Sequence, residues 1–263
     1  MNGSGAEWSD SVSNATPATI GHPRPTVTLR RLRLASGLVM LTYVTTHMLN
    51  HIVGLISVAA ADAMLRVVID VWQSRVGTLV LYGAFATHLA LALRTIHRRR
   101  EWRLPLTEWL RLWAGFSLPL LLITHVVGTR VATTFYGFEP NYERVVTQIV
   151  TGDRQGWQVA LLAPGWIHGC LGLWISLRHV LVFYRARTLL LAFMLAVPVL
   201  SALGFLHMVE VVEATAGFVV RPPPPYAADL VTWKEILLIV YLALVTGAAA
   251  SGWLRRRLSA VPQ

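Results

Sequence analysis

Charge is what this chain has least of. Only 14% of its 263 residues are Asp, Glu, Lys or Arg, while 55% are hydrophobic and the mean hydropathy is +0.55. A soluble domain carries about 25% charged residues, so a water-soluble globular fold does not fit. Cysteine is almost absent as well. Cys170 stands alone inside an apolar run, which excludes both a disulfide framework and a thiolate metal cluster. The stretch up to Thr28 has no apolar core of the kind a secretory signal needs. Its Gly, Ser, Asn and Pro content predicts a disordered cytoplasmic tail. There is no internal repeat, and no low-complexity region beyond Pro222 to Pro225.

What the chain has is long apolar runs. Six can be placed, at roughly 34–58, 76–96, 109–133, 158–182, 188–209 and 231–254. Each is close to the roughly 20 residues that cross a hydrocarbon core about 30 Å thick. The expectation is an all-α integral membrane protein, a six-transmembrane-helix bundle over residues 30–257, with cytoplasmic tails at 1–29 and 258–263. The net charge of +10 is distributed as a membrane protein needs it. With both termini placed on the cytoplasmic side, that side collects 16 basic residues against four acids, and the outer side seven against nine. Arginine clusters at 30–33, 98–100 and 255–257 lie beside the runs, where anionic headgroups and the positive-inside rule place them. Basicity is thereby explained without nucleic acid as a partner; membrane lipid is the partner expected.

The outer connections are longer. Tyr142 to Val150 reads as an amphipathic stretch lying along the interface. Pro222 to Pro225 reads as a stiff polyproline II segment. Trp109, Trp113, Trp157, Trp166, Trp233 and Trp253 fall mostly near run ends, as interfacial anchors do.

Against this apolar background the histidines stand out. His47 and His51 lie in the first run, His88 in the second, His125 in the third, His168 in the fourth and His207 in the fifth. His179 is near the cytoplasmic end of the fourth, and His22 and His97 lie outside the runs. Ionisable residues at membrane depth are costly and commonly functional. One such histidine is often only an interhelical hydrogen-bond partner, but six on five helices need another reason. A proton-coupled transporter would mix carboxylates with them, and the run interiors contain almost none. A nearly pure imidazole set points to metal ligation, and between apolar helices to haem iron.

Depth suggests the partners. At 1.5 Å per residue, His47 lies ~20 Å and His125 ~24 Å from the cytoplasmic ends of their helices, so these two can share an outer haem. His88 at ~12 Å and His168 at ~15–20 Å can share an inner one. Gly165, Gly169 and Gly172 bracket His168, Gly83 precedes His88 by about a turn, and Gly128 follows His125. Missing side chains there suit either a macrocycle lying against the helix or close helix packing. His47 and His51 are one turn apart on the same face, so one suffices as ligand and the other is free to contact a propionate or a quinone. Arg130 is placed either to meet a propionate or to snorkel toward the interface.

Ser36-Gly37, followed by His47-Met48 ten residues on from the glycine, resembles the first helix of the dihaem cytochrome b subunit of fumarate reductases. The resemblance implies axial histidines from each of the first four membrane helices, first with third and second with fourth, an order that His47, His88, His125 and His168 occupy. Thr45 to His51, His125 to Arg130 and Trp166 to Cys170 more closely resemble the six-helix cytochrome b modules at the N-termini of some bacterial class III adenylate cyclases. That likeness covers about residues 30–210. It implies haem sites between helices 1–4, a bacterial inner membrane location and a redox- or quinone-sensing role. No cyclase domain follows Arg257, so the expectation is a membrane module alone or one that acts with a separate partner.

The sequence thus leads to a bis-histidine dihaem b-type cytochrome exchanging electrons with the quinone pool, for electron transfer or redox sensing. The expected metal ligands are His47, His125, His88 and His168, with His51, Arg130 and Gly169 as further cofactor contacts. Two other readings remain: a membrane anchor or sensor for a soluble cytoplasmic enzyme such as an adenylate cyclase, and a haem-free transporter with a histidine proton relay.

Overall fold

In hydrocarbon every backbone N–H and C=O must find its partner within the segment, which makes a helix the default for long apolar runs. The computed structural model describes residues 27–151, 155–216 and 222–259, and among these it is all helix, turn and coil, with no strand. The elements are α1 (Val27–Val53), α2 (Val58–Trp72), α3 (Arg75–Arg98), α4 (Leu106–Val126), a π-helical turn (Val127–Val131), α5 (Ala132–Tyr136), α6 (Tyr142–Thr151), α7 (Gln155–Leu177), α8 (Leu181–Arg185), α9 (Arg187–Ala216) and α10 (Ala227–Ser259).

Among the described residues four helices are long and apolar enough to cross a membrane: α3, α4 with its continuation to Tyr136, α9 and α10. Helix α1 has 27 residues, but Ser36, Thr45, Thr46, His47, Asn50 and His51 dilute its apolar stretch. Pro119, Pro164 and Pro198 sit inside α4, α7 and α9 without ending them, a tolerance typical of helices whose neighbours satisfy the freed backbone groups.

Some boundaries differ from the sequence expectation. Helix α1 starts at Val27, about two turns before its apolar run, so Arg30, Arg31 and Arg33 are helical; residues 1–26 of the expected tail lie outside the described residues. It also ends at Val53 rather than 58. A separate helix, α2, then begins, its N-terminus capped by Ser57 Oγ accepting from Ala60 N–H at 3.0 Å. No apolar run marked α2. The run at 158–182 divides into α7 and the short α8. The expected interfacial stretch is a helix, α6, and Pro222 to Pro224 are non-helical. Gly137 closes α5 in the left-handed conformation (φ 68°), and the Phe138 N–H then reaches the Ala132 carbonyl at 3.2 Å.

Helix α1 packs between α3 and α7, α7 packs on α4, and α10 fills the space between α4 and α3, closing a ring of five helices. Outside the ring, α9 buttresses α1 and α7. Close approach is made possible by glycine: a Cβ at Gly204 on α9 would collide with the His51 carbonyl oxygen, and one at Gly252 on α10 would stand 2.7 Å from that of His97. Arg255 and Arg256 donate to the His97 and Arg99 carbonyls, fastening the end of α10 to the end of α3. At the other end α2 and α6 cover α9 through a buried cluster of Ala61, Tyr142, Val146, Phe205, Met208 and Val212. Trp166, expected near an interface, is buried instead between α7 and α9, its indole N–H donating to the Met194 carbonyl at 2.7 Å.

Candidate functional site

The histidines of the first four apolar runs meet in the interior of the five-helix ring, in two pairs. The His47 ring centre on α1 lies 5.7 Å from that of His125 at the end of α4, with the planes at 75°. The His88 centre on α3 lies 6.1 Å from that of His168 on α7, with the planes at 81°. Neither α1 with α4 nor α3 with α7 pack along one another. The imidazoles therefore reach across the ring rather than along a helix seam.

In the second pair, hydrogen bonding fixes the tautomers. Ser36 Oγ donates to the Arg33 carbonyl at 3.1 Å, so toward His88 Nδ1, 3.2 Å away, it acts as acceptor. His168 Nδ1 lies 2.9 Å from the Arg111 carbonyl oxygen, which only accepts. Both rings must then carry the proton on Nδ1, which leaves each Nε2 with a lone pair available to a metal. A backbone carbonyl or hydroxyl holding Nδ1–H is the usual outer contact of a metal-binding imidazole.

Glycine makes room for these rings. A Cβ at Gly115 on α4 would stand 2.6 Å from His168 Cε1, and one at Gly37 on α1 would stand 3.4 Å from His88 Cε1. Of the glycines singled out by sequence, Gly169 packs against Leu41 (2.7 Å to its Cδ1) and Gly165 against Leu118 (3.3 Å), while Gly83, Gly128 and Gly172 have no neighbour within 4 Å of an added Cβ.

The first pair has a third member. His51 Nε2 is 3.3 Å from His47 Nε2, and His51 Nδ1 is 3.4 Å from the Tyr142 hydroxyl. Asn50 Nδ2 donates to that same hydroxyl. With its oxygen already accepting, Tyr142 sends its own proton to His51 Nδ1, and His51 can then donate from Nε2 to His47 Nε2; that bond takes the lone pair a metal at His47 would need, so the two uses of His47 Nε2 exclude one another. Asp62 on α2 anchors the start of α6 by accepting the Tyr142 backbone N–H at 2.8 Å. Burial pushes the Tyr142 phenol above its ordinary pKa of 10.0, against the Asn50 hydrogen bond, which pulls the other way.

Arg130 lies in the π-helical turn that follows His125, and single π turns inside helices recur at functional sites. Its guanidinium donates to Thr78 Oγ1 at 2.8 Å and stands 6.0 Å from the centre of the Tyr82 ring, both on α3. His207 is half-buried on α9 outside the ring, and His179 is exposed. His97, outside the apolar runs, is 2.9 Å from Ser251 Oγ through Nδ1 and helps hold α3 to α10.

Sequence reasoning missed Asn50, Tyr142, Gly115 and the Arg111 carbonyl. Only Asn50 carried a signal, an amide between two intramembrane histidines. Among the described residues no group of three or more His, Cys, Asp or Glu is arranged to hold a metal ion. Pairs of imidazoles suit a metal whose other ligands come from a macrocycle. Comparison with protein-family models, characterised proteins and solved structures finds no match. The functional reading therefore rests on this chain's own residues.

Proposed function

We propose that the chain is a bis-histidine, dihaem b-type membrane cytochrome that exchanges electrons with the quinone pool. The observation that carries this reading is the pairing of imidazoles from four different helices across the ring, with centres 5.7 and 6.1 Å apart. Two imidazoles bonded to one metal from opposite sides, at about 2 Å each, have their ring centres roughly 6 Å apart. His47 with His125 would hold one haem and His88 with His168 the other. A haem held in this way supplies reversible one-electron transfer.

The protein's contribution lies in its own groups. Ser36 and the Arg111 carbonyl keep His88 and His168 in the ligating tautomer. Gly37 and Gly115 let those two rings sit close to the neighbouring helix. Arg130, tied to Thr78 and next to the His125 turn, is the cation available to a propionate. The apolar ring excludes water and lowers the local dielectric, which with the axial ligands sets the potentials. In this reading α1, α3, α4, α7, α9 and α10 all span a bacterial inner membrane, with the arginine-rich end and both termini in the cytoplasm.

The test is a reduced-minus-oxidised absorption spectrum of the detergent-purified chain, with the haem-to-protein ratio. The expected ratio is two, falling to one in His88→Ala or His168→Ala; absence of b-haem bands refutes the reading. One observation favours a second reading: the hydrogen-bonded run Tyr142–His51–His47 also suits a haem-free proton relay. A spectrum without haem, together with proton flux into vesicles that Tyr142→Phe abolishes, would select it.

A further inference from the structure

Away from the histidines, the arginine-rich end of the bundle holds an apolar groove of about 320 Å³ between the C-terminus of α3, the N-terminal half of α4 and α10. That volume is at the small end of ligand sites. Its walls include Trp102, Trp109, Trp113, Phe116, Leu120 and Leu242. The polar side chains lining it are committed: Ser117 Oγ donates to the Ala114 carbonyl at 3.2 Å, and the Tyr241 hydroxyl to that of Phe116 at 2.6 Å. The interior therefore favours hydrocarbon. By contrast, the indole N–H groups of Trp102, Trp109 and Trp113 have no partner among the described residues, and the three residues are 40%, 40% and 74% exposed. Indoles placed this way donate to the ester and glycerol oxygens of a lipid at the membrane interface.

Charge identifies the headgroup. Segments 98–103 and 255–257, at this end of the bundle, together carry seven arginines, against Glu101 within them and Glu108 in the first turn of α4. Glu108 pairs with Arg99 at 3.4 Å, and the Arg99 guanidinium lies 5.8 Å from the centre of the Trp102 ring in the groove wall. Arg256 is bound to the Arg99 carbonyl at 2.8 Å, which brings the two basic segments together. Arg100 and Arg103 are exposed and without an ion pair or hydrogen bond among the described residues. An apolar slot with tryptophans at its lip and uncompensated arginines above it has the layout of a basic lipid-binding pocket between membrane helices.

We propose that this groove binds an anionic phospholipid, with one acyl chain between α4 and α10 and the phosphate held by Arg100 and Arg103. The proposal does not rest on the haem reading, since the residues named for the groove are other than those that contact the histidine pairs.

The experiment measures the lipid retained by the full chain in nanodiscs made with equal amounts of phosphatidylglycerol and phosphatidylcholine of the same acyl chains. Spin-labelled versions of each lipid report the fraction immobilised by the protein. The wild type is expected to immobilise phosphatidylglycerol selectively. Arg100→Gln with Arg103→Gln, both surface changes, should reduce the preference about fivefold for each arginine removed. Ser117→Phe, which fills the groove, should release the immobilised lipid while the arginines remain. Equal immobilisation of the two lipids, or a preference unchanged by both variants, overturns the proposal. So does retention of a neutral isoprenoid quinone that only Ser117→Phe displaces, which would make the groove a quinone site. Neither readout passes through haem absorbance, so loss of this proposal would leave the cytochrome reading intact.

Discussion

His88 Nδ1 lies 3.2 Å from Ser36 Oγ, and the proton of that serine is already committed to the Arg33 carbonyl 3.1 Å away. With that proton so committed, the contact runs from the imidazole to the hydroxyl. Ser36→Ala removes the acceptor and frees the tautomer of His88. Outer contacts of this kind are worth about 10- to 100-fold in metal affinity. The expected result is a faster loss of one haem to a scavenger, by a factor in that range, with the second haem unaffected and Ser36→Thr close to wild type. Equal loss of both haems, or of neither, would show that Ser36 does not govern the His88 site.

The choice between His47 and His51 is open to a direct test. The His47 ring faces His125 at 5.7 Å, while His51 is turned toward Tyr142 and Phe205, each 5.8 Å away. His47→Ala should lower the haem content from two to one per chain, and His51→Ala should leave it at two. The reverse result would move the ligand to His51.

Tyr142 joins α6 to α1 through the Asn50 amide and His51. Tyr142→Phe leaves buried polar partners unsatisfied and should cost about 1–3 kcal/mol, read as a lower thermal midpoint in detergent. Its effect on pH has a definite sign. Because burial raises the phenol above 10.0, the folded state holds the proton that the unfolded state releases above that value. The phenol therefore gives no pH dependence below about pH 10, and stability falls as pH rises beyond it. Tyr142→Phe should remove this alkaline loss, and an unchanged alkaline limb would count against it.

Two glycines should respond in opposite ways. Gly115→Ala puts a methyl 2.6 Å from His168 Cε1, so the ring must leave its place beside the Arg111 carbonyl. Loss of the His88–His168 haem is expected, with the other retained. Gly83→Ala, which meets nothing within 4 Å, should be neutral or stabilising by up to about 1 kcal/mol through helix propensity alone. Haem content and thermal midpoint measured on both variants separate the two cases.

The sequence alone determined the membrane class, because scarce charge and long apolar runs permit little else. It also set the histidines apart, since a polar ring in hydrocarbon needs a reason to be there. It did not reveal α2, whose role is to cover the end of the bundle rather than cross a bilayer. Nor did it reveal that Trp166 is interior, because indole is apolar enough for either place.

Helical periodicity assigned His47 and His51 to one face of α1, a relation internal to a single segment. Which residues meet across the ring is a different kind of fact. Ser36 lies opposite His88, Gly115 opposite His168 and Tyr142 opposite His51, over separations of 52, 53 and 91 positions. Those contacts follow from how α10 closes the ring and how α2 and α6 cover its end. Spacing along the chain fixes the face a residue occupies on its own helix, and only the packing of helices decides what that face meets.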